Sequence, residues 1–417
     1  MKKIFAAFIL LLMANVVFAQ QDNTIKVVGD SLFGKTLNGE SIREVHGHVV
    51  MTQDNVTITC EKAIQYIARN EADLFGNVVV TQDSIIIHTD SGHYFGDTKI
   101  AYSESGVKLF DGHVYLHSKS GYYFFDEKRA FFFNKVSLYD SVSTLTSDSL
   151  TYFDDDDKAV AVGNVKARDS ISIIYADSLI HLRKDSTSFA FKNVRILDIK
   201  NKMIISGNKL EDYQAKSYSK ITGKPFLIRI DSTDDGKLDT LIISSVMMEA
   251  YSDSTRRLIA TDSVKIVRGE FASVNGYTEY FKADERLYTY KRDVDLKRPV
   301  IWNDNTQLSG DTLNILMKDN RIDKMFINSN ASIITKNSKY DFRFDQISGK
   351  DIVLHFDADG LAFTDVKGNV LDHREEGVIA KRHAFEIDAA AHTLLVGRNR
   401  GPFLHLGSFI QELEGAL

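Results

Sequence analysis

Acidic side chains and histidines are the residues of this 417-residue chain whose types could do chemistry. Asp154 to Asp157 form a run of four carboxylates, whose oxygen atoms are ligands that calcium prefers. The run aligns with other acidic residues in polar turns, which favours a solvated hairpin turn over a calcium site. His113 and His117 would share one face of a strand, but a zinc site needs further ligands and none is evident in the sequence. We therefore expect neither a metal site nor a cofactor.

Motifs for nucleophilic or nucleotide chemistry are absent from the sequence. We find no nucleophile elbow, phosphate loop or zinc-protease motif. The single cysteine, Cys60, excludes an internal disulfide framework and every cysteine-rich metal site. A formal net charge of -6 gives no broad basic surface for nucleic acid. The sequence therefore predicts a protein that is not an enzyme and does not bind nucleic acid.

A sequence repeat of constant length positions most of the apolar side chains in the first half of the chain. Valine recurs about every 29 residues, and an apolar residue follows two positions after each valine. The residue between them is mostly polar, so each segment has the period-two alternation of a strand with one buried face. The valines are Val49, Val78, Val107, Val136, Val165 and Val194, and the residues that follow are Met51, Val80, Leu109, Leu138, Ala167 and Ile196.

The remainder of each repeat predicts turns and further strands. An aspartate follows each valine strand, at Asp54, Asp83, Asp111, Asp140, Asp169 and Asp198, and these residues favour turns. Fully extended, one repeat would span about 95 Å, whereas a strand usually holds about 5–6 residues. Each repeat is therefore expected to fold back as three or four short strands. The repeats must also stack, because none can bury its apolar face alone, and the abundance of β-branched and aromatic residues disfavours helices.

The N-terminal segment 1–19 has the features of a secretory signal peptide. Lys2 and Lys3 precede an uncharged apolar run that ends in the small residue Ala19. The run is short for a bilayer span, which disfavours an uncleaved membrane anchor. We expect export out of the cytoplasm.

The pattern divides the chain into five segments. The repeat is regular in the first array, breaks at a stretch rich in Gly, Pro and Asp, and resumes in a looser form. We expect a signal peptide at residues 1–19, a first array at 20–215, an irregular connection at 216–245, a diverged second array at 246–370 and an unassigned segment at 371–417.

Two short motifs carry a family resemblance. Gly76-Asn77-Val78 and Gly163-Asn164-Val165 look like strand starts that precede an Asp-Ser turn, and a later strand ends near Ala176-Asp177. This pattern resembles the OstA-like family, which includes the periplasmic lipopolysaccharide-transport protein LptA and the N-terminal domain of the translocon LptD. The resemblance covers residues 40–215 well and 250–370 weakly. It implies an antiparallel β-jellyroll open along one side, whose apolar interior carries the acyl chains of lipopolysaccharide and which has no catalytic residues.

The expected fold is therefore all-β, an elongated OstA-like β-jellyroll of stacked units in two arrays. The expected function is that of a periplasmic lipopolysaccharide-binding and transport protein that shelters acyl chains in its groove and bridges towards the outer membrane. The expected partners are the lipid A acyl chains, and other transport components or a second copy through edge strands. The residues expected to line the groove are Val49, Met51, Ile58, Val78, Val80, Ile87, Val107, Leu109, Val136, Leu138, Val165, Ile173, Val194 and Ile196.

Two other functions remain compatible with the repeat. One is a secreted β-helix-type adhesin or carbohydrate-active protein, although an enzyme of that kind would place its acidic residues in a cleft rather than once per repeat in turns. The other is a structural scaffold whose closed core binds no lipid.

Overall fold

Antiparallel strands make up almost all of the computed structural model, which describes residues 24–232, 238–318, 321–336, 344–357 and 360–374. The all-β prediction is confirmed, and the helical content of the described residues is a single 3-10 turn at Gln214–Lys216. No helix in these ranges is long and apolar enough to cross a membrane. The predicted signal peptide and most of the segment 371–417 lie outside the described residues.

The chain divides into two compact units, residues 1–134 and 135–417, and the boundary falls within one strand. The first strands are β1 (Lys26–Val28), β2 (Ser31–Leu37), β3 (Glu40–Gln53), β4 (Val56–Tyr66), β5 (Glu71–Gln82), β6 (Ile85–Phe95), β7 (Ile100–Ser103), β8 (Val107–Phe110), β9 (Tyr115–Ser118), β10 (Ser120–Phe124) and the boundary strand β11 (Arg129–Tyr139).

Unit 2 continues with strands of similar length. They are β12 (Thr144–Phe153), β13 (Lys158–Arg168), β14 (Ser172–Leu182), β15 (Thr187–Asp198), β16 (Met203–Tyr213), β17 (Tyr218–Thr222), β18 (Phe226–Ser232), β19 (Leu238–Ser244), β20 (Met247–Tyr251), β21 (Arg257–Arg268), β22 (Phe271–Phe281), β23 (Arg286–Tyr290), β24 (Val300–Asn303), β25 (Thr306–Ser309), β26 (Thr312–Lys318), β27 (Arg321–Lys336), β28 (Phe344–Asp357), β29 (Gly360–Lys367) and β30 (Leu371–Arg374).

Pairs of left-handed residues bend the long strands near their middle. In β5, Gly76 and Asn77 have φ angles of 75° and 47°, and in β13, Gly163 and Asn164 have 80° and 46°. The register with the neighbouring strand shifts at each pair, so the pair forms a β-bulge. Glycine adopts this conformation freely, and asparagine is one of the few other residues that does so routinely. The same bend recurs at residues 47–48, 134–135, 192–193, 262–263 and 329–330.

These bends correct the expected strand layout. The sequence predicts that Gly76-Asn77 and Gly163-Asn164 begin strands, but each pair lies inside one continuous strand. One repeat is accordingly a hairpin of two long bent strands rather than three or four short ones. The reason is that two left-handed residues turn the strand sharply while the hydrogen-bonded pairing continues on both sides.

In unit 1 the bends divide the strands into two facing walls. Each hairpin contributes one segment on either side of its bend, and the turns of the two walls come together at the side opposite the bend. Wall A consists of residues 49–60, 78–89 and 107–118, and wall B consists of residues 40–46, 62–75, 91–103 and 120–133.

A continuous row of directly paired side chains forms the core of unit 2. Directly opposite residues of an antiparallel pair share one face of the sheet, and each member of this row is 0–5% exposed. The row consists of Leu150, Ala161, Leu179, Ala190, Leu210, Ile221, Met248, Ala260, Thr278, Thr289, Leu313, Ile327 and Ile352.

The segment 216–245 is not irregular, because β17, β18 and β19 occupy most of its described part. The signals that suggested a break are Gly223 and Lys224, whose φ angles of 84° and 60° form another left-handed pair. Here the pair separates β17 from β18, and both strands pair with β16. The domain bounds at residues 20–215 and 246–370 stay a prediction.

Candidate functional site

A cross-strand row of apolar side chains lies on one face of wall A in unit 1. Met51 pairs with Ile58, Ile58 with Val80, Val80 with Ile87, and Ile87 with Leu109. All five side chains are between 1% and 6% exposed. The structure therefore brings together five of the predicted lining residues from five neighbouring strands of the sheet, β3, β4, β5, β6 and β8.

The three valines of unit 1 form a second row on the same face. Val49 pairs with Cys60, and Val78 and Val107 both pair with Thr89, one from each side. Each valine lies two residues from a member of the first row, so both rows face the interior. The valines are at most 4% exposed.

The predicted lining residues of unit 2 are placed less uniformly. Val136, Val165 and Val194 are 1–2% exposed, as expected for the interior. Leu138 and Ile196 are only half-buried.

Ile173 lies one residue out of the predicted column. It pairs with Leu197 and packs in a cluster with Leu197 and Ile204. Ile196 pairs instead with Ile174, so Ile173 and Ile196 point to opposite faces of the sheet. Steps of one repeat from Ile58 lead to Ile174, which is half-buried, whereas Ile173 is 4% exposed.

The sequence analysis missed the apolar face of wall B. Val45 pairs with Ala63, and Ala63 with Leu74, and these side chains are 0–2% exposed. In unit 2 the corresponding signal was present in the sequence, because Ala161 and Ala190 are separated by one repeat and both belong to the core row. Wall B thus supplies the second apolar side of the interior.

Side chains join the turns of the two walls in unit 1. The Tyr94 hydroxyl donates to Gln53 Oε1 at 2.7 Å, and Gln53 Nε2 donates to the carbonyl oxygen of Gly96 at 3.0 Å. Burial, together with the carboxylates of Asp126 and Asp54, raises the pKa of Tyr94. The hydroxyl therefore keeps its proton and remains a hydrogen-bond donor at neutral pH.

The same contact recurs one repeat later. The Tyr123 hydroxyl donates to Gln82 Oε1 at 3.3 Å, and Gln82 Nε2 donates to the carbonyl oxygen of Phe125 at 3.4 Å. Both glutamines are 4–5% exposed, and both tyrosines 0–3%. Burial strengthens such bonds, because water does not compete for the same groups.

Ion pairs accompany these hydrogen bonds. Lys99 Nζ lies 2.7 Å from Asp54 Oδ2 and 3.2 Å from Asp126 Oδ1, and Lys128 Nζ lies 3.8 Å from Asp83 Oδ2. We call this line of contacts the seam, formed by Gln53, Asp54, Gln82 and Asp83 of wall A with Tyr94, Lys99, Tyr123 and Lys128 of wall B. The side expected to be open is therefore closed by side chains in unit 1.

The aspartates that suggested metal chemistry lie in turns, and so does one of the two histidines, His113. Asp111 accepts hydrogen bonds from the backbone N–H groups of His113 and Val114, so His113 is in a turn rather than on a strand beside His117. The run Asp154–Asp157 forms the turn between β12 and β13, as expected. Across the described ranges, no group of three or more His, Cys, Asp or Glu residues could hold a metal ion.

Aromatic rings stack on the outer face of wall B. Tyr102 and Tyr122 lie 4.3 Å apart between ring centroids, with an angle of 22° between their planes, and Phe131 and Phe133 are also stacked. A shallow cavity of about 390 Å³ beside them is lined by Phe95, Thr98, Ile100, Tyr122, Phe124 and Phe131. Because the rings stack on one another, few ring faces remain for stacking with a sugar.

Comparisons with known proteins find a match in the first part of the chain. Residues 30–153 match the family model described as OstA-like protein. Among solved structures, the chain is similar to LptH, the LptA homologous periplasmic component of the conserved lipopolysaccharide transport device from Pseudomonas aeruginosa. That similarity has 14% sequence identity and a TM-score of 0.18, and it covers 34% of this chain and 85% of that chain. No curated protein matches the sequence at a significant level.

Proposed function

From the OstA-like segment at residues 30–153, we propose that this protein binds lipopolysaccharide and carries it through the periplasm. The acyl chains of lipid A would lie between the two walls of unit 1, and the sugars and phosphates would stay in water. The observation that carries the proposal is the pair of apolar rows in wall A, whose members come from strands of this segment that are neighbours in the sheet.

Elementary energetics explain why such rows suit a lipid. Each methylene that an acyl chain exposes to water costs about 0.8 kcal/mol. Neighbouring strands are about 4.8 Å apart, so the rows repeat an apolar contact at that interval. A chain could therefore move along the rows without leaving apolar surroundings.

The main alternative is a scaffold whose core is filled by its own side chains. The closed seam and the burial of both rows favour this alternative for the conformation described above. The two functions differ in one respect, because a carrier must admit lipid between its walls and a scaffold never does.

Photo-crosslinking tests the proposal with two neighbouring positions of β8. Val107 faces the interior and is 4% exposed, whereas Lys108 follows it in the strand and is exposed to solvent. A photoreactive residue at position 107 should crosslink to lipopolysaccharide in a Gram-negative host, and one at position 108 should not. Crosslinking at position 108 alone, or at neither position, would contradict the proposed lining.

The proposed location follows from the sequence of residues 1–19, and the proposed partners follow from the edge strands. Residues 1–19 would direct export to the periplasm. The strands β2 and β29 carry exposed apolar side chains, among them Leu32 at 53% and Leu361 at 55% exposure. Such edges favour strand addition by other transport components or by a second copy, and a chain of copies would bridge towards the outer membrane.

A further inference from the structure

Side-chain contacts hold the two walls of unit 1 together at the seam, whereas the backbone itself joins them at the bends. On the opposite side, the walls are joined by the covalent backbone through the bends, as at residues 76–77. At the N-terminal end, Ile25 is 4% exposed, and its N–H and C=O groups are bonded to the side chains of Asn70 and Gln65. Across the seam, by contrast, every contact described above involves at least one side chain, and separating the walls there breaks no strand pairing.

We propose that the seam is the portal through which a lipid reaches the interior of unit 1. The Tyr94–Gln53 and Tyr123–Gln82 hydrogen bonds act as latches that release to let acyl chains pass between the turns. The inference rests on the proposed function and adds the position of the portal, its latch residues and the site of the headgroup.

Charge at the seam suits an anionic headgroup. Lys99 is shared between Asp54 of wall A and Asp126 of wall B, and its side chain is 18% exposed. When the turn of wall A moves outward, Asp54 moves with it. The Lys99 ammonium group then loses one of its two carboxylate partners and keeps Asp126. Phosphate oxygens of a lipid headgroup supply the charge-assisted hydrogen bonds that replace this carboxylate. Lys128, beside Asp83, offers a second cation one repeat away.

The repetition of the latch supports this assignment. Gln53 and Gln82 are separated by one repeat, and so are Tyr94 and Tyr123, although a polar side chain in a core position costs stability unless it is paired. Apolar residues at these positions would close the same side permanently. Polar pairs close it reversibly, because water or a headgroup can satisfy each partner when the turns separate.

A disulfide lock tests the portal. Asp54→Cys with Lys99→Cys, in a Cys60→Ser background, joins the two walls when oxidised and releases them when reduced. The probe is fluorescently labelled rough lipopolysaccharide, and the measurement is the lipid that remains bound to the full chain after gel filtration. We expect the oxidised variant to load about tenfold less lipid, or lower still, than the same variant after reduction, which lacks Lys99 but keeps Lys128 at the seam.

A lock within one wall provides the matched control. Thr59 and Val79 are directly paired in β4 and β5 of wall A, further from the seam, so Thr59→Cys with Val79→Cys should load equally in both redox states. Equal loading of the oxidised and reduced seam lock would overturn the portal while leaving the proposed function intact. If the reduced seam lock and the wild-type chain both bind no lipid, the proposed function fails, and the portal fails with it.

Removal of the latch hydroxyls gives an independent test in the native cysteine background. Cys60 pairs with Val49 in the interior and is 7% exposed, and burial raises the pKa of its thiol. Tyr94→Phe with Tyr123→Phe should speed both lipid loading and the labelling of Cys60 by a maleimide, by about threefold to tenfold. Tyr102→Phe, which removes a hydroxyl from the outer face, should change neither rate. Equal rates in the latch variant and the wild type would contradict the role of the two tyrosines.

Discussion

At the scale of single residues, pairs of left-handed residues decide where each strand changes wall. Gly76 has a φ angle of 75°, and Asn77 beside it donates a hydrogen bond from Nδ2 to Glu61 Oε1 at 2.5 Å. Asn164 makes the equivalent bond to Asp148, and Asn193 to Asp177. A carboxylate on the preceding strand therefore fixes each of these bends.

Replacement of Gly76 by alanine should test the conformational part of this argument. A side chain at a left-handed position costs about 1–2 kcal/mol, and the new Cβ would also lie 2.4 Å from Glu61 Oε2, a flexible group that can move aside. We expect Gly76→Ala to lower the melting temperature of the full chain by several degrees in a calorimetric scan. Gly34→Ala is the control, because Gly34 lies in β2 with nothing within 4 Å of its Cβ position, and an equal loss in both variants would contradict the argument.

The carboxylate of Glu44 gives a prediction about pH. Hydrogen bonds from Lys35 and Lys62 lower the pKa of Glu44 from 4.5 to about 2. A carboxyl group whose pKa is lower in the folded state stabilises that state above its unfolded pKa, and the benefit is lost as pH falls through the folded pKa. The melting temperature of the wild type should exceed that of Glu44→Gln by a constant margin above about pH 5. The margin should shrink as the pH falls from 4.5 towards 2, and a margin that stays constant down to pH 2 would rule out this role for Glu44.

At the scale of elements, the repeat predicts the interior positions better than it predicts the strands. A hairpin of constant length returns each position to the same face, so the constant spacing groups Val49 and Val78 on one buried face, and their role in lining a groove stays a prediction. The spacing does not distinguish Ile173 from Ile174, because the two residues are adjacent and equally apolar. The pairing shows that they lie on opposite faces of the sheet, since Ile173 pairs with Leu197 and Ile174 with Ile196.

Neither the bends nor the seam could be predicted from the sequence, and the reasons differ. Gly-Asn pairs are typical of turns, and nothing in their residue types distinguishes a turn that ends a strand from a bulge that bends it. Gln53 and Tyr94 are 41 residues apart and polar, so periodic apolar patterning does not connect them. Their recurrence as Gln82 and Tyr123 is the one feature of the sequence that could have indicated the contact.

The edge strands carry a prediction about assembly. Among the described strands, β2 pairs with β3 alone and β29 pairs with β28 alone, which leaves one side of each backbone open. Lysines on edge strands oppose pairing with another chain. Leu32→Lys or Leu361→Lys should therefore weaken self-association about fivefold or more in sedimentation experiments.

A lysine elsewhere on the surface separates this effect from a general change of charge. Leu296 is 99% exposed in the connection between β23 and β24, so Leu296→Lys adds the same charge away from both edges. Self-association that falls equally in all three variants, or in none, would show that the edges do not mediate assembly.

At the scale of the whole molecule, the function of each of the two units has to be argued separately. The OstA-like match at residues 30–153 includes nearly all of the described part of unit 1. Unit 2 has its own core, and the buried cluster of its last strands is part of that core, with Ile327 and Ile352 both 0% exposed. One chain thus contains two interiors, and the proposed carrier function applies to the first.

Hydrogen exchange of the wild-type chain should show which interior receives lipid. A ligand present at 100 times its dissociation constant adds about 2.7 kcal/mol to the stability of the state that binds it. With lipopolysaccharide, we therefore expect slower exchange in β4, β5 and β6 of unit 1 and unchanged exchange in β27 and β28 of unit 2. The free core oligosaccharide, which lacks acyl chains, should protect neither region, because it has no apolar chain to place in the interior. Protection of β27 and β28 to the same degree would assign lipid binding to the second interior as well, and the restriction of the carrier function to unit 1 would then be wrong.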